Sequence, residues 1–326
     1  MRRGVKPVAA VTAVIAVAAV AAILLLRSDQ SGPRIADRTE LGFAPQALAV
    51  ADGDAFTVAA DGRLYRVTDG VVSPLAGSAR RAASVPVPSG MAAGFNSLWV
   101  GSHRTGRVTR LSTEDGRRLG FPVPVGDTVT GVSVGSRLVW ASAGDNGIAG
   151  GIRPLAASAY AGSSLVALSS QFPKGAVLSD LTADGTTVWV TDGALDRVYR
   201  LKGRATFPSD SIPVGDRPLA VAVGFGAVWV ANAGDGTVTR IDPRDGRPRA
   251  HSIRIGGEPT DIAAGEEAVW VADRRRGRVL RVDPETSRIE QRLMVGPVPQ
   301  ALAIGEGSVW VIRAGPDRGE LVRIEP

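Results

Sequence analysis

Residues 214–243 read VGDRPLAVAVGFGAVWVANAGDGTVTRIDP, and the chain repeats this pattern. The next copy, from Ile255, is IGGEPTDIAAGEEAVWVADRRRGRVLRVDP, and the one from Val295 is VGPVPQALAIGEGSVWVIRAGPDRGELVRIEP. All six tryptophans occupy one slot of the repeat: Trp99, Trp140, Trp189, Trp229, Trp270 and Trp310. Phe56 fills that slot in an earlier, diverged copy, so the anchors are spaced 43, 41, 49, 40, 41 and 40 residues apart. Eleven residues before the anchor, five of the seven copies carry proline (Pro45, Pro88, Pro218, Pro259, Pro299), and the others carry Val129 and Leu178. A period near 40 over almost the whole chain is the signature of a repeat architecture.

Within a copy the apolar residues alternate with a period of two, which selects strands over helices. Residues 219–223, 227–231, 237–241 and 251–255 read as strands a to d. Asp-Gly pairs at Asp61, Asp115, Asp235 and Asp245 supply the positive φ that tight turns need. Four short strands per copy predict an all-β, seven-bladed β-propeller spanning residues 34–326. The tryptophans then pack between blades. The last copy lacks strand d, while residues 34–41 resemble the strand d of the sixth copy. The N-terminal strand is therefore expected to complete the last blade and remove the exposed edge of an open array. In the third copy, residues 144–152 read as a loose b–c loop, followed by an alanine-rich stretch over 154–163.

Residues 7–26 contain no charge and would span about 30 Å as a helix, the thickness of a bilayer core. Arg2, Arg3 and Lys6 precede them, which predicts a cytoplasmic tail (1–6), one transmembrane signal anchor (7–26), a linker (27–33) and a propeller outside the membrane. The alternative is a secreted chain, cleaved after small residues such as Ala16-Val17-Ala18. The net charge of +6 does not indicate nucleic acid: residues 1–34 carry +4, leaving +2 for the rest, with no basic stripe. The chain has no cysteine, which excludes disulfides and zinc-thiolate sites.

In an up-and-down blade the b–c and d–a loops share one face, here the top. The residue after the proline slot tops each inner strand: Gln46, Ser89, Thr130, Ser179, Leu219, Thr260 and Gln300. Six of the seven carry hydrogen-bonding side chains, so they either cap strand ends and hold water or form a ligand site at the channel mouth. His103, Asp273 and the basic cluster Arg274-Arg275-Arg276 fall on top loops and extend this candidate surface. Four aspartates, Asp180, Asp192, Asp261 and Asp273, lie at registers from which they could converge near the mouth. Nothing in the sequence prefers such a carboxylate site to scattered surface acids. The strand-c arginines (Arg66, Arg110, Arg200, Arg240, Arg281, Arg323) and the residues closing strand b (Asp192, Asn232, Asp273) read as blade-stabilising or solvated positions. No phosphate loop, nucleophile elbow or Cys/His dyad occurs, so no catalytic residue, cofactor or metal ligand is assigned.

The pattern V-G-x-x-P through A-V-W-V-A-N to D-G-T-V-T-R-I-D-P resembles the YVTN/YncE-type bacterial propeller repeats. It is also similar to the superfamily that includes virginiamycin B lyase and NHL-like sensor propellers. The lyase resemblance implies a metal site with paired histidines and a glutamate on top loops, where this chain offers His103. Thirty-five arginines against three lysines fit a GC-rich bacterial source. The expected function is an exported, membrane-anchored binding, scaffolding or sensor module whose top face meets a protein or cell-envelope ligand. The alternative is an enzyme, lyase-like or hydrolytic, with a top-face site.

Overall fold

The computed structural model describes residues 32–79, 85–136, 138–145, 148–156, 172–202, 207–247, 252–315 and 318–326. They form seven antiparallel sheets, six of them built in sequence order from an inner strand a outward. Six sheets have four strands and the third has three. Blade 5 is typical, with strands Pro218–Gly224, Ala227–Asn232, Thr237–Ile241 and Ile253–Arg254. The expected tail, anchor and most of the linker lie outside the described residues. Among the described residues no helix is long and apolar enough to cross a membrane.

The ring closes as the sequence predicts. Strand Arg34–Glu40 joins the C-terminal sheet as its outer strand, pairing Thr39 with Leu321 and Arg38 with Val322. Leu41 N–H then donates to Gly319 O at 2.9 Å, carrying the seam to the start of blade 1.

Blade 3 corrects one expectation. Three of its strands fall among the described residues, with 157–171 outside them, and residues 144, 145 and 148–152 belong to strands rather than to a loose loop. Strands Leu138–Asp145 and Ile148–Ala156 pair through that stretch, with Asp145 opposite Ile148. Ile152 and Leu155 are buried, and this anchoring makes a strand of a glycine-rich segment. Ile148 follows Trp140 at the interval by which Thr237 follows Trp229, so the extra residues of this copy come after strand c.

Each blade boundary is a core. Trp229 packs with Val238 of its own blade and Ile262, Val269 and Val271 of the next, and Trp99 packs with Val129, Val139 and Leu155. The indole N–H groups of Trp99, Trp229 and Trp270 donate to Gly94, Gly224 and Gly265 carbonyls at 3.1–3.2 Å, which meets the polar requirement of a buried tryptophan. Strand-c arginines lie over the anchor rings, with the guanidinium carbon of Arg240 5.1 Å from the Trp229 centroid and that of Arg110 5.2 Å from Trp99. Several also reach the next blade: Arg240 bonds Glu285 O, and Arg200 bonds Pro243 O. These arginines stabilise blades, one of the two roles expected for them.

Candidate functional site: the channel mouth

The inner strands line a central channel, and their starts define its mouth. The proline slot opens strand a in five blades, where a residue without an N–H is tolerated. Immediately after it, every a–b ladder shifts register. The breaks fall between Pro45 and Ala47, Pro88 and Gly90, Val129 and Gly131, Leu178 and Leu181, Pro218 and Ala220, Pro259 and Asp261, and Pro299 and Ala301. The skipped residues are the predicted ring, so Gln46, Ser89, Thr130, Ser179, Thr260 and Gln300, with Leu219, sit at β-bulges. A bulge frees a residue from the ladder and re-aims its side chain.

All seven line one cavity of about 310 Å³. Behind this outer ring lies a second, formed by Ala47, Gly90, Gly131, Asp180, Ala220, Asp261 and Ala301. Leu48, Met91, Val132 and Leu302 complete the wall on the side of blades 7, 1, 2 and 3. The volume lies at the lower end of the range for small-molecule sites, about 300–1,000 Å³. Several polar groups are partly committed: Thr130 Oγ1 lies 2.8 Å from Ser142 Oγ, and Thr260 Oγ1 donates to Pro299 O at 3.3 Å. The Ser89 hydroxyl is buried without a hydrogen-bond partner.

The rim is braced by the b–c loops. Carbonyls of Val87, Val177, Arg217, Glu258 and Val298, each just before an inner strand, accept from the N–H of His103, Gly193, Ala233, Arg274 and Ala314 at 2.9–3.2 Å. The d–a and b–c loops therefore do share one face. Val87, Arg217 and Val298 adopt φ of 49°, 50° and 55°. That conformation is an outlier for β-branched residues, and such strain clusters at functional positions.

His103 and Arg274 to Arg276 are exposed on this face but outside the cavity. Asp273 is fully buried, so its place in an exposed surface needs correction. Its Oδ1 accepts from Glu258 N at 3.0 Å and Arg276 N at 3.3 Å, and its Oδ2 from Arg278 Nε at 2.8 Å. Asp192 has the same role in blade 4, accepting from Val177 N, Ala194 N, Leu195 N and the Tyr199 hydroxyl. Burial, reinforced by Asp192, pushes the Tyr199 hydroxyl up from its ordinary range. Of the four aspartates that could have converged, Asp180 and Asp261 do and these two do not.

Asp180 and Asp261 line the cavity from blades 4 and 6. Asp180 Oδ2 accepts from Val221 N at 3.0 Å. Asp261 accepts from Ile262 N at 2.8 Å and Leu302 N at 2.6 Å. Burial raises Asp180 to about 6. Burial, with repulsion from Asp180, raises Asp261 to about 7.

The metal site implied by the lyase resemblance is not seen among the described residues. His251 lies outside the described residues, and among the described residues no three His, Cys, Asp or Glu side chains group as metal ligands.

No protein-family model matches the chain, and no curated protein matches it in sequence. Solved structures do match in shape. A streptogramin B lyase is similar over 87% of this chain and 97% of its own, with TM-score 0.68 and 17% identity. Virginiamycin B lyase from Staphylococcus aureus is similar over 90% of this chain and 100% of its own, with TM-score 0.66 and 15% identity. The WD40 propeller domain of Doa1 covers 90% and 97%, with TM-score 0.69 and 9% identity. At these identities the likeness is one of fold, and the chain is an all-β propeller similar in architecture to the virginiamycin B lyases.

Proposed function

We propose that this chain is an exported, membrane-anchored β-propeller serving as a binding or scaffolding module, which engages a protein or cell-envelope ligand through the top-face channel mouth. The observation that carries the reading is the bulge at the start of every inner strand, which turns six hydrogen-bonding side chains toward one cavity. The cavity is concave, with polar groups converging on one side and an apolar wall on the other, as in ligand sites generally. The uncharged segment 7–26, with basic residues before it, supports anchoring with the N-terminus inside and the propeller outside; cleavage to a secreted form is the alternative. Residues 1–6 would be the cytoplasmic tail and 27–33 the linker.

A second reading, an enzyme with a top-face site, draws on Asp180 and Asp261, whose raised pKa values suit proton transfer near neutral pH. Lyases and a WD40 domain share this architecture, and fold does not choose between them. The first reading is preferred because it rests on a ring repeated in six blades, whereas the second rests on two residues.

The test is capture of partners by crosslinking in the native membrane. Gln300→Ala with Thr260→Ala should weaken capture several-fold and leave the melting temperature within a few degrees. Arg244→Ala with Glu285→Ala, in the c–d turns of the opposite face, should not. Capture lost only with the second pair would overturn the reading.

A further inference from the structure

We infer that the mouth cavity is a site for a small organic cation, a protonated amine whose ammonium group is held between Asp180 and Asp261. This rests on the reading of the mouth as the ligand site and specifies the ligand's chemistry.

The second ring of the channel is small and neutral in five blades, where it carries only alanine or glycine. Two carboxylates interrupt it in blades 4 and 6, and no lysine, arginine or histidine lines the cavity with them. Neither forms an ion pair among the described residues, and their hydrogen bonds come from backbone N–H groups. The bonds from Val221 and Leu302 latch one blade to the next, and at Asp180, where Oδ2 takes the Val221 bond, an asparagine carbonyl would accept it without the cost of desolvating a charge. A buried charge is costly unless it is paired. The latch thus explains one oxygen of Asp180, and backbone N–H groups engage both oxygens of Asp261, which leaves the charge of Asp180 unexplained.

A cation between the two aspartates would offset the burial that raises both pKa values and the repulsion from Asp180 that adds to that of Asp261. There is space for one. Both carboxylates line the cavity of about 310 Å³. Ser89 supplies a second, independent sign of a missing partner, since its hydroxyl is buried and unbonded in the same cavity wall.

The cavity is also too large for a bare ion. At about 310 Å³ it equals the liquid volume of roughly ten waters. Its acidic groups lie on blades 4 and 6, while Leu48, Met91, Val132 and Leu302 face it from the other side. That division suits a molecule with an ammonium head and a hydrocarbon body.

Calorimetric titration of the full-length chain at pH 8, where both carboxylates are ionised, tests the inference. The probes are cyclohexylamine, cyclohexanol, cyclohexanecarboxylate and calcium chloride. The amine, protonated at this pH, should bind saturably and at least tenfold more tightly than the alcohol, with no binding of the carboxylate or calcium. The double variant D180N/D261N should lose that tenfold preference while remaining folded by melting temperature. Gln46→Trp with Gln300→Trp, at two exposed mouth positions, should block the amine. If alcohol and amine bind equally and the tryptophans block both, the cation inference fails and the mouth reading stands. If amine binding survives the tryptophans, both fail. A preference retained in D180N/D261N, tighter binding of calcium, or no binding of the amine would each overturn the inference.

Discussion

Asp180 reaches across a blade boundary: its Oδ2 accepts a 3.0 Å hydrogen bond from the backbone N–H of Val221 in blade 5. Asp261 repeats the contact two blades on, with Leu302 N of blade 7 at 2.6 Å. One pair of side chains therefore links neighbouring blades and brings charge to the channel mouth. Removing the oxygen and removing the charge should have opposite effects. Asp180→Ala strips the acceptor from a buried N–H and should cost about 1–3 kcal/mol. Asp180→Asn keeps an acceptor and should be neutral or stabilising at pH 8, as read by chemical denaturation.

The raised pKa values give a pH dependence of definite sign. A carboxyl that titrates near 6 or 7 when folded and near 4 when unfolded binds its proton more tightly in the native state. Its stabilising contribution is full below about pH 4 and is lost as pH rises through the folded pKa. The ligand-free chain should therefore lose melting temperature between pH 5 and 8, and D180N/D261N should remove most of that slope. Asp115, Asp210 and Asp283 are shifted downward, so their contributions disappear at acid pH, outside this window. A flat profile in the parent chain between pH 5 and 8 would contradict the assignment.

Arg240 over Trp229 is expected to matter through both its contacts. Arg240→Ala removes the ring contact at 5.1 Å and the bonds to Glu285 O and Ser287 Oγ in blade 6. A loss of about 1–2 kcal/mol is expected in denaturant titration. Trp229→Ala leaves a cavity in a closed blade boundary and should cost about 3–5 kcal/mol.

Deleting residues 1–30 should leave the melting temperature almost unchanged, whereas deleting 1–44 should lower it sharply. The longer cut removes strand Arg34–Glu40 and with it the pairing to Leu321 and Val322. Buried Leu41 goes too, at about 1.5–3 kcal/mol for such a side chain. Equal melting temperatures would contradict closure through this strand.

Topology can be read by labelling. Cysteines introduced singly at Ser28 and Gly4 into this cysteine-free chain should react with an impermeant reagent outside the cell only at position 28. Labelling at position 4 would reverse the orientation.

The architecture was legible because its signals repeat. Trp229 and its counterparts mark strand b, and the likeness of residues 34–41 to the strand d of blade 6 foretells closure. The ring from Gln46 to Gln300 could be listed from the register alone. The bulges could not, since a register shift depends on how strands a and b pair, which a one-dimensional pattern does not encode. The proline slot was the available signal, because a residue without an N–H marks where the ladder starts. Asp273 was misplaced because a buried turn aspartate and an exposed loop aspartate look alike until its N–H donors are seen. Residues 144–152 looked like a loop because glycines hide the alternation that Ile152 and Leu155 anchor. Asp180 and Asp261 differ from Asp192 and Asp273 only in register, and their joint position on the channel appears once the ring is closed.

The central claim, that the channel mouth is the working face, is tested most directly by site-specific photo-crosslinking in the native membrane. A photoreactive residue at Gln300, on the exposed rim, should give a discrete adduct that is lost in D180N/D261N or competed by an amine. The same group at Arg244, exposed on the opposite face, should give none. An adduct from Arg244 with none from Gln300 would contradict the claim.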